Sequence, residues 1–130
     1  MIQFEFNIHG PIRGGKNNIN ITRTGHRYPN PVWAKWCNQV VAGILELYPN
    51  PKTITVPCAM TVRYWNTDLK RRDVPAMTDS IFHICEKAGL VADDELIRSL
   101  FWYWEGHDRA NGRAKILIEA DMPDLVNVSQ

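Results

Sequence analysis

The residues best suited to chemistry lie in the stretch "LKRRDVPAMTD", residues 69–79. Two acids, Asp73 and Asp79, stand close to a run of cations in this stretch. The run consists of Lys70, Arg71 and Arg72. Clustered Lys and Arg side chains are typical of phosphate contacts, and carboxylates are ligands that divalent cations prefer. The stretch fits a site that cuts nucleic acid, and it also fits a charged loop in which Asp73 only caps a helix.

A second acidic pair, Asp93-Asp94, lies downstream. A metal-dependent phosphodiesterase needs two or three carboxylates that converge on a hard cation, which polarises the phosphate and lowers the pKa of an attacking water. Asp73, Asp93 and Asp94 are therefore candidate metal ligands, and Asp79 is a further candidate catalytic acid. Helix capping explains the first three equally well, and a solvated helix face explains Asp79.

The distance between these acids limits how they can meet. A helix from Val74 to Ala88 is about 22 Å long at about 1.5 Å per residue. The five residues from Leu90 to Asp94 reach only about 17 Å when extended. Asp94 can therefore approach Asp73 in three ways: the helix is shorter, the chain doubles straight back along it, or a second subunit supplies one acid.

A long loop rich in Gly, Asn and Arg, residues 10–29, offers more phosphate contacts. Its candidates are Lys16, Asn17, Arg23 and Arg27. A solvated loop is the alternative interpretation of the same residues. The stretch "GPIRGGKN" is close to a nucleotide-binding loop, but Asn17 stands where that loop needs a Ser or Thr hydroxyl for magnesium. We expect no nucleotide cofactor.

The composition indicates one globular domain over residues 1–130, with residues 121–130 as a tail. Hydrophobic residues make up 45% of the chain, which supports a folded core. A net charge of +1 means that any binding of nucleic acid must rely on local clusters. The three cysteines form no C-x-x-C pair, so we expect buried, reduced thiols and a cytoplasmic protein. No apolar run is long enough to predict a membrane span.

Hydrophobic periodicity predicts the order β-α-β-α-β-β. The strands are "IQFEFNIHG", "KTITVPCAMTVRYW", "RSLFWYWEG" and "RAKILIEA". The helices begin at Asn30-Pro31 and at Val74, and the second ends before Gly89. Pro57 indicates an edge strand or a bulge, and Asn111-Gly112 predicts a hairpin turn between the last two strands. The fold class is α/β (α+β), with a single mixed sheet of about four strands packed with two main helices.

The stretch "KRRDVPAMTDSIFHICEKAGLVADDELI" resembles the core of the RusA-type Holliday junction resolvases, a family common in prophages. The family pattern is a basic run, D-L-D-N-x-x-K, an apolar helix ending in A-G, and D-D-x-x-[IV]. Arg71-Arg72-Asp73, Lys87-Ala88-Gly89 and Asp93-Asp94 match it without a gap. Similar elements upstream extend the resemblance over roughly residues 2–120.

The resemblance implies a homodimeric, magnesium-dependent endonuclease that nicks two strands of a four-way DNA junction in recombination and repair, with Mn²⁺ as a substitute ion. Asp73 and Asp94 then correspond to metal ligands. Of the aromatic residues 101–104, one alternating pair is expected in the core and the other at a dimer interface or, less readily, against DNA bases.

Two departures keep other functions open. Pro75 stands where the family has its second acid, and Asp79 stands where it has its lysine. Pro75 and Asp79 are one helical turn apart, so the Asp79 carboxylate is a candidate replacement for the missing acid. The alternative is a relative that binds branched DNA or a protein partner without cleaving. A third interpretation is a structural domain whose acids only cap helices.

Overall fold

A computed structural model describes residues 1–15, 19–68 and 73–122, without the side chains of residues 19, 20 and 29. The elements are β1 (Ile2–His9), β2 (Ile19–Ile21), β3 (Arg27–Pro29), α1 (Pro31–Leu47), β4 (Cys58–Asn66), α2 (Val74–Lys87), β5 (Ile97–His107) and β6 (Arg113–Ala120). One turn of 3₁₀ helix, Asp94–Leu96, precedes β5. The predicted order is confirmed, with the short pair β2 and β3 added inside the segment predicted as a loop.

Four strands form one mixed sheet in the order β1-β6-β4-β5. β6 is antiparallel to both β1 and β4, whereas β4 and β5 are parallel. Parallel neighbours need a crossover connection, and α2 is that connection. The predicted single mixed sheet with two main helices is confirmed.

The predicted hairpin between the last two strands is wrong, because β5 and β6 lie on opposite sides of β4. Gly112 serves a different purpose from a tight turn. A Cβ atom at Gly112 would lie 1.9 Å from Cγ2 of Thr67, so glycine is needed for the chain to pack this closely against Thr67. The Gly112 carbonyl also accepts a hydrogen bond from the Gly10 backbone at 2.8 Å.

Pro57 predicted an edge strand or a bulge, and only the second alternative fits. β4 is central rather than at an edge, and it begins at Cys58, after the proline. Its ladder to β5 shifts register between Cys58 and Ala59, as at a bulge.

Met122, within the segment predicted as a tail, has a buried side chain whose sulfur accepts the Thr55 hydroxyl at 3.5 Å. Residues 123–130 lie outside the described part of the chain.

Both helices pack on one face of the sheet. The Asn30 side chain caps α1 by accepting the backbone N–H groups of Val32 and Trp33. α1 and α2 bury apolar stripes that join the alternating residues of β1, β4 and β6 in one hydrophobic cluster. Its largest fully buried side chains include Tyr64, Met60, Ile81, Ile84, Ile116 and Ile118.

The three cysteines are buried and free, as the sequence predicts. Burial raises the pKa of the Cys37 thiol to about 11 and also raises the pKa values of Cys58 and Cys85. These thiols therefore remain protonated at neutral pH and are poor metal ligands and nucleophiles. Their role is packing.

A buried hydroxyl links three parts of the fold. Ser80 on α2 donates to the Arg13 carbonyl at 2.6 Å and accepts the indole N–H of Trp33 on α1 at 3.0 Å. Ser80 is fully buried, so both bonds are shielded from water. The segment after β1 and the start of α1 are thus both attached to the middle of α2.

Replacing this hydroxyl should destabilise the protein. Ser80→Ala leaves the Trp33 N–H and the Arg13 carbonyl without their partner, at a cost of about 1–3 kcal/mol in the free energy of unfolding. Urea denaturation measures the change. Ser99→Ala, at an exposed position on β5, is the matched control and should stay within about 0.5 kcal/mol of wild type. Equal stability of the two variants would contradict the role given to Ser80.

Candidate metal and nucleic-acid site

Asp73 lies at the N-terminal end of α2 and is exposed. Its carboxylate accepts the backbone N–H of Ala76 at 3.2 Å, and its carbonyl accepts the N–H of Met77. Pro75 fits this first turn because backbone N–H groups there have no acceptor within the helix, so proline, which lacks an N–H, loses no hydrogen bond. The capping interpretation of Asp73 is therefore confirmed, and its other carboxylate oxygen is not used by that bond.

The segment after β1 packs against the same end of α2. A Cβ atom at Gly14 would lie 2.8 Å from the Ala76 Cβ, so only glycine allows this close approach. The bond from Ser80 to the Arg13 carbonyl fixes the segment beside the helix. The exposed Arg13 is thereby placed along α2, on the side of the molecule where the helix begins.

Five of the seven predicted DNA contacts lie outside the described residues: Lys16, Asn17, Lys70, Arg71 and Arg72. Arg23 lies in the turn between β2 and β3, and Arg27 lies on β3; both are exposed. In the sequence, Lys16 follows Gly15 and Arg72 precedes Asp73.

The opposite end of α2 carries an acidic group. Gly89, with φ of 78°, ends the helix, and hydrogen bonds from Gly89 to the Glu86 carbonyl and from Leu90 to the Cys85 carbonyl close the turn. The reversal brings carboxylate oxygens of Glu86, Asp93 and Asp94 within 4.8 Å of one another. We call these three residues the acidic cluster.

The members of the acidic cluster differ in their other bonds. Asp93 caps the 3₁₀ turn by accepting the Glu95 backbone N–H at 2.9 Å. Asp94 is the first residue of that turn and is half-buried, while Asp93 and Glu86 are exposed. Three carboxylates at this spacing offer the oxygen ligands that Mg²⁺ and Mn²⁺ accept, with water completing the coordination.

Glu86 was not predicted as a site residue. It lies seven residues before Asp93 on a different element, and it becomes the neighbour of the acidic pair through the turn at Gly89. A glycine at the end of a helical pattern is the sequence signal for such a reversal. Combined with the acidic pair that follows, this signal singles out the last turn of α2 as a source of ligands.

Asp73 does not join the acidic cluster within one chain. About 20 Å of helix separates Asp73 from Glu86, since α2 runs unbroken between them at about 1.5 Å per residue. Asp79 is exposed between the two ends and belongs to no metal-sized group of described side chains. Within one chain, α2 therefore holds Asp73 and Asp94 at opposite ends of the helix.

The aromatic residues of β5 point to both faces of the sheet. Trp102 and Trp104 lie on the helix side, where both rings contact Tyr64, with centroids 5.9 and 5.3 Å away. Phe101 and Tyr103 lie on the open face. The Arg63 guanidinium stacks over the Tyr103 ring at 4.8 Å and pairs with Glu105 at 2.8 Å. Trp104 is nevertheless 50% exposed, so neither pair is fully covered.

Scans of the chain against protein-family models and against curated proteins find no match. Among the helices that the structure describes, none has the length and apolar character required to cross a membrane.

Removing one carboxylate of the acidic cluster should weaken binding of a divalent cation. Glu86→Gln and Asp94→Asn should each raise the dissociation constant for Mn²⁺ by at least about tenfold, because even partners of metal ligands contribute that much. Electron paramagnetic resonance of free Mn²⁺ measures binding without DNA. Glu46→Gln, an exposed acid on α1, is the matched control. Unchanged Mn²⁺ binding in both cluster variants would remove the acidic cluster as a metal site.

Proposed function

We propose that this protein is a magnesium-dependent, structure-specific DNA endonuclease that resolves four-way junctions by paired nicks, acting in the cytoplasm as a homodimer. The observation that carries the proposal is the acidic cluster. The pair Asp93-Asp94, which corresponds to the terminal acids of the RusA-type pattern, gathers with Glu86 into a group of oxygen ligands. The matching basic run and Asp73 precede the same helix.

In this proposal a complete site combines two copies, because α2 separates Asp73 from Asp94 within one chain. Asp73 from one copy and Asp94 from the other then act on one scissile phosphate. Paired nicking follows from this arrangement, because a twofold dimer contains two such sites related by its symmetry. Four-way junctions have a matching pair of strands to cut.

The proposed activity assigns a separate role to each group of candidate residues. The carboxylates of the acidic cluster from one copy and Asp73 from the other would hold the cation, which would polarise the phosphate and lower the pKa of the attacking water. The Asp73 cap fixes that carboxylate on a rigid helix end. Asp79 is the candidate replacement for the acid that Pro75 lacks. Lys16, Asn17, Arg23, Arg27, Lys70, Arg71 and Arg72 are the proposed contacts to the DNA backbone.

Cleavage of a synthetic four-way junction tests the activity. With Mg²⁺, wild type should nick two strands, and Asp73→Asn and Asp94→Asn should each lower the rate by at least about 100-fold, as for the loss of a catalytic group. Asparagine caps helices as well as aspartate does, so Asp73→Asn should keep its stability. Asp79→Asn should also abolish cleavage. Glu46→Gln should cleave like wild type, and a fully active Asp73→Asn would contradict the proposal.

Mixing the two inactive variants tests whether the site is shared. A mixed dimer of Asp73→Asn and Asp94→Asn has one site with both acids intact if each site combines two copies. Such a mixture should recover nicking of one strand without paired resolution. Sites built within one chain would recover nothing, because each would lack one acid.

A non-cleaving protein that binds branched DNA is the second candidate function. The presence of Pro75 and Asp79 at positions of the family's acid and lysine favours it. Salt-dependent binding of a four-way junction with no cleavage by wild type in Mg²⁺ or Mn²⁺ would establish this function in place of the first.

A further inference from the structure

The face of the sheet that no described helix covers carries a shallow cavity of about 380 Å³. Six side chains from β4, β5 and β6 line most of it, and we call them the open patch: Thr61, Arg63, Phe101, Tyr103, Lys115 and Leu117. A cavity of this volume is within the range of ligand-binding sites. Neither Asp73 nor any member of the acidic cluster belongs to the open patch, so a ligand bound here uses residues that the proposed cleavage does not.

The open patch exposes aromatic rings that are large enough to hold a planar group. Phe101 is 51% and Tyr103 is 45% exposed, and the two rings alternate with helix-side residues along β5, so they share one face. Trp65 on β4 lies on the same face, and the guanidinium of Arg113 stacks over its ring at 4.0 Å. Unpaired nucleic-acid bases stack on aromatic rings and on guanidinium planes. The exposed rings therefore indicate a ligand with flat aromatic groups.

Two cations of the open patch lie directly opposite each other. Arg63 on β4 is the register partner of Lys115 on β6, and both side chains are half-exposed. Like charges in this position destabilise a sheet. Each cation pairs with a carboxylate on the strand away from the other cation: Arg63 with Glu105 of β5 at 2.8 Å, and Lys115 with Glu5 of β1 at 2.9 Å. The acids thus lie on the outer sides of the two cations, and the position between the cations suits a phosphate.

The two ion pairs leave the cations available to a ligand. Exposed ion pairs contribute little to stability, so a phosphate can replace either carboxylate as the partner. Tyr103 is the register partner of Arg63 on the next strand, and Phe101 lies two residues before it. Neighbouring strands are about 5 Å apart, so a base that is linked to the bound phosphate lies within reach of either ring. The rings and cations of the open patch therefore match the alternation of bases and phosphates along a nucleic-acid strand.

We propose that the open patch binds a single strand of DNA, with bases stacked on Phe101 and Tyr103 and a phosphate held between Arg63 and Lys115. A single strand is the form that fits, because the bases of a duplex are stacked on one another and do not expose their faces. The stacking surface accepts DNA and RNA alike, so the choice of DNA rests on the proposed function. The binding itself does not, since it requires neither a metal ion nor the acidic cluster.

Binding of a fluorescein-labelled oligothymidine, followed by fluorescence anisotropy in EDTA, tests this site without metal or cleavage. Wild type should bind, and Phe101→Ala should raise the dissociation constant at least roughly fivefold, as for the loss of one stacked base. Leu47→Ala, at an apolar position 62% exposed on α1, is the matched control and should bind like wild type. An unchanged dissociation constant in Phe101→Ala, or no binding by wild type because a second copy covers the face, overturns the proposal.

The dependence of binding on salt tests the phosphate contact. Lys115→Gln should lower the magnitude of the slope of log K against log salt concentration by about 0.7, the value for one phosphate of a single strand. Lys35→Gln, at an exposed lysine on α1, is the matched control and should keep the wild-type slope. An unchanged slope in Lys115→Gln overturns the contact.

Other nucleic acids distinguish the kind of strand that binds. A duplex of the same length should bind more weakly than oligothymidine, and Phe101→Ala should leave its affinity unchanged. Equal losses of duplex and single-strand binding in Phe101→Ala overturn the stacking, and tighter binding of oligouridine RNA than of oligothymidine overturns the choice of DNA. Because all of these measurements omit divalent cations, their failure and the failure of four-way junction cleavage are separate results.

Photocrosslinking locates the strand on the folded wild-type chain. An oligothymidine that carries 5-iododeoxyuridine should attach on irradiation to Phe101 or Tyr103, because a stacked base lies against one of these rings. Mass spectrometry of the digested protein identifies the attached residue. Attachment only to residues outside β4, β5 and β6 overturns the proposal.

Discussion

The parallel pairing of β4 with β5 is the constraint on which the rest of the molecule depends. Two consecutive strands can lie parallel only if the chain returns to the starting end of the sheet, and α2 provides that return. The helix must therefore extend along the sheet, and the residues at its two ends are held about 20 Å apart.

The two ends of α2 thus present different chemistry. At the beginning, a capping carboxylate lies where the helix dipole favours negative charge, and a glycine-lined segment packs close beside it. At the end, the reversal at Gly89 gathers acids whose mutual repulsion a divalent cation would relieve. Capping and metal binding are compatible uses of the same acid, because a carboxylate has two oxygens and one bond to the helix occupies a single acceptor site.

The same crossover also shapes the edge of the sheet. β5 is the last strand on its side, and the residues that the helices bury come mainly from β1, β6 and β4. Trp104 is therefore only half covered although it lies on the helix side, and Phe101 and Tyr103 lie on a face that no described helix covers. The crossover thus leaves one edge strand of the sheet with large apolar side chains that the helices do not fully cover.

The sequence by itself determined the elements whose causes are local. The caps Asn30 and Asp73, the stop at Gly89 and the alternation of apolar residues in β1 and β6 were sufficient to predict two helices and four strands in the right order. The candidate acids Asp73, Asp93 and Asp94 were also visible from residue type and spacing. The buried cysteines followed from their number and separation.

Only the tertiary structure decided which elements are neighbours. Asn111-Gly112 predicted a hairpin because such residues favour a tight local turn. Strand order instead depends on how the apolar faces of all the strands and helices pack together. Glu86 joined the acidic cluster through the reversal at Gly89, and the length of α2 kept Asp73 out of it. Packing also divided the aromatic residues of β5 between two faces and left both exposed, since the helices that bury the central strands do not extend over the edge.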